Sequence, residues 1–583
     1  MQVSLSHYGS MCGIAGIVHL DGSTVDSLEL DRLTDALAHR GPDGRGTFID
    51  GNAGLGHRRL SVLDLSESAS QPMFSPDKDF VVIFNGELYN FAEQKKHLQS
   101  LGHRFQSTGD TEILLHLYME YGIKCVDRLR GMFAFAILDR PSKKLYLVRD
   151  RVGKKPIKYF VNGKTLAFAS ELKALRTLSS CPKEIDTGAI HDFLTMMYVP
   201  SPRTGFKGIE KLPAGHMLTI DLAKGTHTVS QYWSLSYNID YSRSLEEWKE
   251  QIMATLTESV RLRMVADVPV GAFLSGGIDS AAIVGLMSKM STHPVKTFSI
   301  GSSDPSFNEL PYAEMTAKAF GTEHHPISLE PDIVNLLPEL VHTYEEPYAD
   351  PSAIPTYLIA PEPRKVVTVA LHGDGGDENF AGYVRYPISV FSEYWRIAPS
   401  LFHVFARLGT EAFFACCPTT LSYRANRFER SMNLPWEQRY LQYISFFTEE
   451  EKKRLYTPQF AERFGRTDAW YAKHTAPARS RAHDLLHRGM SMDMVTYLPD
   501  DLMPKVDLGC MAHGLEARSP FLDHSLLELT ATMPGEYKLH GRVRKWILRE
   551  HLLKGLVPDA VLHKRKTGFR LPLDSWFRGE LSS

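Results

Sequence analysis

The chain has 583 residues, too many for one hydrophobic core at about 100–200 residues per domain. With 43% hydrophobic residues, 23% charged residues and a formal net charge of −2, it has the composition of an ordinary soluble protein, with no electrostatic pull toward nucleic acid or an anionic membrane. Membrane insertion is not expected either, because no run approaches the roughly 18 uninterrupted apolar residues of a span.

Residues 1–11, "MQVSLSHYGSM", lack a charged segment followed by an apolar one and so do not form a secretory signal. The six cysteines (12, 125, 181, 416, 417 and 510) contain no CxxC pair, which makes a reducing, cytoplasmic setting the expectation. From Cys12 to about residue 200 the text is mostly strands between turns: "FVVIFNGELYN" (80–90), "FAFAILD" (133–139), "KLYLVRD" (144–150) and "LAFAS" (166–170). Helical spacing appears at 26–38 and 110–121, so a layered α+β domain is expected over 12–200. "PSPRTGF" and "LSYNIDYSRS" read as linkers, making 201–245 a connecting segment.

From 246 the texture changes. A helix at roughly 245–265 leads into the apolar strand "VPVGAFL", the turn "SGGIDS" and the helix "SAAIVGLMSKM". "VKTFSIG", "YAEMTAKAFG" and "VVTVALHG" continue the alternation, which predicts a parallel sheet with helices on its faces. The remainder is mainly helical, and its most apolar stretch, "LFHVFARLGTEAFFACC", is expected to be a buried helix.

Two Gly-rich turns carry the chemistry of this second half. In "FLSGGIDS" (273–280), Gly276 and Gly277 let the backbone approach an anion, and the following helix directs free N–H groups at the same place. Ser275 and Ser280 add hydroxyls, and Asp279 makes sense beside a phosphate if a divalent cation neutralises both. The turn lacks a Walker A lysine. In "VALHGDGGDENFAGY" (369–383), Asp374, Asp377 and Glu378 follow another apolar strand, where a parallel sheet presents its ligand edge.

With "SPFLD" (519–523) and "GRVRKWILRE" (541–550), these motifs resemble the synthetase domain of glutamine-dependent asparagine synthetases, over 246–583. The resemblance implies a pyrophosphate-loop ATP fold that adenylates a carboxylate and lets ammonia displace AMP. It gives ATP contacts to Ser275, Gly276, Gly277, Asp279 and Ser280, Mg²⁺ to Asp279 and Asp377, and charge stabilisation on the phosphate to Lys545.

The N-terminal motifs "MCGIAGIV" (11–18), "HRGPDGRG" (39–46), "GHRRLSVLD" (56–64), "IFNGELYN" (83–90) and "TGDTE" (108–112) resemble, in this order, the N-terminal-nucleophile glutaminase domain of the same enzymes. The resemblance implies that Cys12 attacks the glutamine amide, that the Asn85 side chain and the Gly86 N–H form an oxyanion hole, that Arg59 binds the α-carboxylate, and that Glu87 and Asp110 receive the α-ammonium. No histidine in these motifs is an obvious base for the thiol. The family's base is the cysteine's own α-amine, which requires Cys12 to be the first residue and residues 1–11 to be a removed leader or a non-native extension.

The chain departs from the family in places. The best-known members read SGEGSDE where this chain has "HGDGGDE", so Asp374 replaces a glutamate at the point where ammonia meets the acyl-adenylate. Leu508 and Cys510 stand where a cation and a serine are usual, and "KRKTGFRLPLDSWFRGELSS" ends early. The expected substrates are L-glutamine, ATP and L-aspartate; a uronic acid or other cell-envelope carboxylate is the alternative acceptor, and a homodimer is an allowed assembly. A degenerate homologue retained for binding is the non-catalytic alternative.

Overall fold

The structure, a computed structural model, describes residues 12–301, 308–328, 333–396, 400–417, 420–462, 471, 474–476, 478, 481–564 and 578. The expected leader, and the C-terminal tail after Lys564 apart from Arg578, lie outside the described residues.

Two six-stranded antiparallel sheets build the N-terminal half. In spatial order, one holds Ile209–Lys211, Lys158–Asn162, Thr165–Ala169, Gly13–His19, Ala53–Arg59 and Gly44–Asp50. The other holds Thr226–Gln231, His216–Asp221, Lys144–Arg149, Gly131–Asp139, Phe80–Leu88 and Met73–Phe74. Strand alternation assigns the layers. Ile14 and Val18 point into the same apolar cluster as Val81, Ile83 and Ala136 of the opposite sheet. Their neighbours Ala15 and Ile17 face outward onto Leu30 and Leu33 of the helix Ser27–Asp35. On the far side, Val82 and Phe84 pack on Leu114 and Leu117 of the helix Asp110–Tyr121. Helix layers thus cover both sheets, which is why these strands read as nearly continuous apolar runs.

Three of the twelve strands, from Ile209 to Gln231, fall in the stretch that the sequence reads as a connecting segment. Their pairing with Lys158–Asn162 and Lys144–Arg149 extends both sheets past residue 200. The polar text there hid them: Thr226–Gln231 is an exposed edge strand with little apolar alternation.

The second half is built on a five-stranded parallel sheet, ordered Glu323–Ser328, Lys296–Gly301, Val270–Phe273, Val369–Leu371 and Glu516–Arg518. The helix Leu245–Arg263 opens with a capping box between Ser244 and Glu247 and packs Trp248, Ile252, Leu256 and Val260 on one face. Leu60, Val62, Tyr89 and Met132 of the sandwich join that same cluster, so the halves share apolar core. Ion pairs add to the interface: the buried pairs Arg40 to Asp507 at 2.8 Å and Lys155 to Asp507 at 3.2 Å, and the half-buried Arg130 to Asp523 at 2.9 Å.

One expectation about burial fails. Residues Ser400–Cys416 do form a helix, but Val404, Phe405, Leu408 and Phe413 are exposed, Phe405 to 69%. An apolar run predicts the helix without saying what covers it.

Candidate functional site

The end of the strand Ala53–Arg59, the middle of Phe80–Leu88 and the start of the helix Asp110–Tyr121 meet at one cavity. Cys12, Arg59, Gly86, Glu87 and Asp110 line it, together with Gln71, Phe84 and Thr111. Arg59 donates to the carbonyls of Ser66, at 2.8 Å, and Asp64, which hold its guanidinium at the wall. Asn85 is fully buried, and among the described residues neither its Nδ2 nor its Oδ1 has a hydrogen-bond partner. Such an amide is costly to bury without a ligand's atoms to meet it. Gly86 has φ 155°, and a Cβ there would lie 2.0 Å from the Met132 carbonyl oxygen, so only glycine fits beside Asn85.

Burial sets the charge states. It pushes the Cys12 thiol up to about 12, while the Leu60 carbonyl, 3.7 Å from Sγ, and Arg59 pull it back only in part. Asp110 accepts the Leu88 N–H at 2.7 Å, yet burial and the neighbouring Glu516 raise its carboxyl to about 7. Glu87 is likewise held well above the usual carboxylate range by burial, against the pull of Arg518, 3.4 Å away. His57 is buried with Nε2 3.1 Å from the Phe84 carbonyl oxygen, and burial depresses it to about 3.

The second site lies at the carboxyl ends of two neighbouring strands. Val270–Phe273 runs into "SGGIDS" and Val369–Leu371 into "GDGGDE", and the two strands pair directly. In the first turn, the Gly277 N–H donates to Ser275 Oγ at 3.2 Å, and Ser275 Oγ meets Ser280 Oγ at 2.9 Å. The second turn needs glycines because Asp279 crowds it. A Cβ on Gly376 would lie 2.6 Å from Asp279 Oδ1, and one on Gly373 2.8 Å from the Ser280 nitrogen. Lys545 Nζ bridges Asp279 at 2.5 Å and Asp377 at 2.7 Å, and these carboxylates keep its ammonium charged despite burial. The lysine is buried and central, not a helix-surface cation.

This donor set fits Mg²⁺ carried by a nucleotide. Two converging carboxylates suffice for an ion that takes its remaining ligands from phosphates and water. Among the described residues there is no group of three or more His, Cys, Asp or Glu that would make a protein-only cage. Asp374 sits beside these groups: His372, 3.2 Å away, lowers its carboxyl to about 2 against burial, and the Ser519 hydroxyl donates to its backbone carbonyl. Glu378 is driven to about 7 by burial and Asp377, and accepts the Tyr383 hydroxyl at 2.5 Å.

Two family models together match most of the chain. The family model described as Asparagine synthase matches residues 251–583, and the Glutamine amidotransferase domain model matches residues 11–233. Asparagine synthetase [glutamine-hydrolyzing] 1 of Bacillus subtilis (strain 168) is 34% identical over 98% of this chain and 89% of its own length.

The chain belongs to the asparagine synthase family.

This makes it a glutamine amidotransferase of the carbon–nitrogen ligase class, with ATP as the nucleotide. A putative glutamine-hydrolysing asparagine synthetase of Mycobacterium bovis is 33% identical over 98% of the chain and 89% of its own length. At 27% identity over 98% of the chain and 90% of its own length stands Amidase chry2 of Gibberella zeae. Among the described residues no helix is long and apolar enough to cross a membrane.

Sequence motifs missed several residues at these asparagine synthase family sites. Glu516 lines the Cys12 cavity and Arg518 pairs with it, though both stand in the text of the second half. Lys564 pairs with Glu309 at 2.6 Å, and a Cβ on Gly276 would lie 2.5 Å from its Nζ, which puts a cation against the first turn. The cysteine and leucine that depart from the family text are both buried: Cys510 lies in an apolar cluster with Val506 and Leu515. Leu508 packs against Leu336, Leu340 and Tyr357 and also lines a small cavity with Lys158, Lys211 and Tyr348.

Proposed function

We propose that the chain hydrolyses glutamine at Cys12 and uses the ammonia to amidate a carboxylate, L-aspartate, that it has first joined to AMP. The observation that carries this reading is the pairing of two complete constellations in one molecule. One is a half-buried thiol with an unpartnered amide and an α-amino-acid charge pattern; the other is a pair of phosphate-edge turns whose aspartates converge on one lysine.

In the first site, Cys12 Sγ attacks the glutamine side-chain carbonyl carbon. A thiol at about 12 holds too little thiolate at neutral pH, so it needs a base within reach. His57 is committed elsewhere, and the free α-amine of Cys12, with its ordinary value near 7.7–8.0, serves instead. The Asn85 Nδ2–H and Gly86 N–H receive the oxyanion. The protonated amine passes its proton to the departing ammonia, and water releases glutamate from the thioester. Arg59 holds the α-carboxylate; Glu87 and Asp110 hold the α-ammonium.

In the second site, a carboxylate oxygen of the acceptor attacks the α-phosphorus of ATP, pyrophosphate leaves, and ammonia then displaces AMP at the acyl carbon. "SGGIDS" cradles the phosphates, and Lys545 meets the negative charge that develops on the phosphoryl oxygens. When bound to Asp279 and Asp377, Mg²⁺ supplies further charge neutralisation there. Asp374, which the family resemblance puts at the point where ammonia meets the acyl-adenylate, carries a side chain one methylene shorter than glutamate, and that difference keeps a uronic acid or another cell-envelope carboxylate as the second acceptor reading. We place the work in the cytoplasm, where glutamine and ATP are both at hand.

Mass spectrometry of products from glutamine, ATP–Mg²⁺ and each acceptor tests this. Asparagine from aspartate supports it. An amidated uronic acid with no asparagine replaces the acceptor, and glutamate release without ATP consumption under any acceptor overturns the coupled reading.

A further inference from the structure

The glutamine cavity belongs to the sandwich except at one point. Glu516, on the last strand of the parallel sheet, lines it alongside Cys12, Arg59, Glu87 and Asp110. We propose that Glu516 is a third carboxylate of the glutamine α-ammonium site, so that the synthetase half completes the glutaminase pocket. The inference rests on the reading of Glu87 and Asp110 as ammonium acceptors.

The geometry is fixed from behind. Arg518, fully buried, donates through Nη1 to the carbonyls of Arg263 at 2.9 Å and Val265 at 2.7 Å, so its guanidinium cannot swing. From that position Nε meets Glu516 Oε1 at 2.5 Å and Nη2 stands 3.4 Å from Glu87 Oε1. One pinned cation therefore serves two buried carboxylates, and Asp110 is a third in the same field. The other charged and titratable neighbours do not restore the balance. Arg59 is held by backbone carbonyls on the side that awaits an α-carboxylate, Lys155 pairs with Asp507, and Arg263 pairs with Asp523. Cys12 and Tyr89 are pushed up by burial and stay neutral. Without a substrate ammonium, the surplus negative charge retains a proton, in accord with an Asp110 carboxyl near 7. Glutamine's α-ammonium displaces that proton.

The sign follows. Below about pH 7 the ammonium competes with a bound proton, so KM for glutamine rises as pH falls, approaching tenfold per unit. Glu516 raises Asp110 and Arg518 lowers it. In Glu516→Gln the amide oxygen still accepts from Arg518 but one negative charge is gone. KM at pH 8.5 should then rise about tenfold, as for loss of a charge-assisted contact, while kcat changes much less. The acid limb of the KM profile should move to lower pH by about one unit. Glu516→Asp keeps the charge and should keep the wild-type limb.

The experiment is KM and kcat for glutamine from pH 5.5 to 9 in wild type, Glu516→Gln, Glu516→Asp and Glu87→Gln. A purely structural role raises KM in parallel at every pH. Superimposable wild-type and Glu516→Gln profiles, a parallel rise, or a limb that moves equally in Glu516→Asp would overturn the inference. Glu87→Gln separates the two levels of the argument. If it leaves KM unchanged, the glutamine reading of the pocket fails; if it raises KM tenfold or more while Glu516→Gln is silent, only the role of Glu516 fails.

Discussion

The two sites solve opposite problems of charge. The proposed glutamine pocket is walled by side chains on antiparallel strands, one helix start and the loop after Arg59, with Glu516 reaching in from the parallel sheet, and its carboxylates are buried. The nucleotide edge is made of loops, where glycines let two turns approach until Lys545 can clamp Asp279 to Asp377. In the proposed reading the pocket holds surplus negative charge for a zwitterion to cancel, whereas the edge pairs Asp279 and Asp377 with Lys545 and shares those aspartates with a metal–nucleotide complex. A preformed pocket is suited to picking one small amino acid, and a loop edge to the reorganisation that phosphoryl chemistry entails.

Substitutions that silence one site and spare the other break this contrast most sharply. Cys12→Ala should abolish glutamine-driven amidation while ammonium still drives synthesis, measured as amidated product with each nitrogen source. Loss of both activities would mean that the pocket shapes the second site. Lys545→Met should do the reverse, suppressing ATP–pyrophosphate exchange at least about a hundredfold while glutaminase activity persists. Asn85→Ala should lower glutaminase kcat by about 10²–10³ with little change in KM, because the amide acts on the oxyanion and not on the ground state.

The interface between the halves gives a smaller effect, on stability. Asp507 receives Arg40 and Lys155 in a buried cluster, and Arg40 also donates to the Cys12 carbonyl at 3.2 Å. Removing it as Asp507→Ala leaves Arg40 with Glu171 alone, at 2.6 Å, and takes one buried carboxylate from Lys155, at a cost of about 3 kcal/mol. Urea unfolding should show an earlier midpoint, with glutaminase activity lost before the helical signal. Coincident loss would place the weak point elsewhere.

Much of this was legible in the sequence, and the reason is local. Asn85, Gly86 and Glu87 are consecutive, so one strand carries the proposed oxyanion donors and ammonium acceptor together, and Asp110 opens a helix whose spacing the text shows. The paired turns "SGGIDS" and "GDGGDE" were readable because each follows an apolar strand. Glu516 was not, since no spacing rule says that the strand "EAR" abuts a residue in the other half of the chain. The strands between Ile209 and Gln231 were lost for lack of apolar alternation, and the exposed helix Ser400–Cys416 was misjudged because periodicity predicts a face, not its cover.

The coupling between the sites is tested most directly by nitrogen tracing. Protein whose intact mass begins at Cys12 would receive glutamine labelled with ¹⁵N in its amide, ATP–Mg²⁺ and aspartate, with a tenfold excess of unlabelled ammonium. Asparagine carrying mostly ¹⁵N, with one AMP formed per product, is the expected result. Product labelled no more than the free ammonium, or full glutaminase activity from a chain that retains Met1, would contradict it.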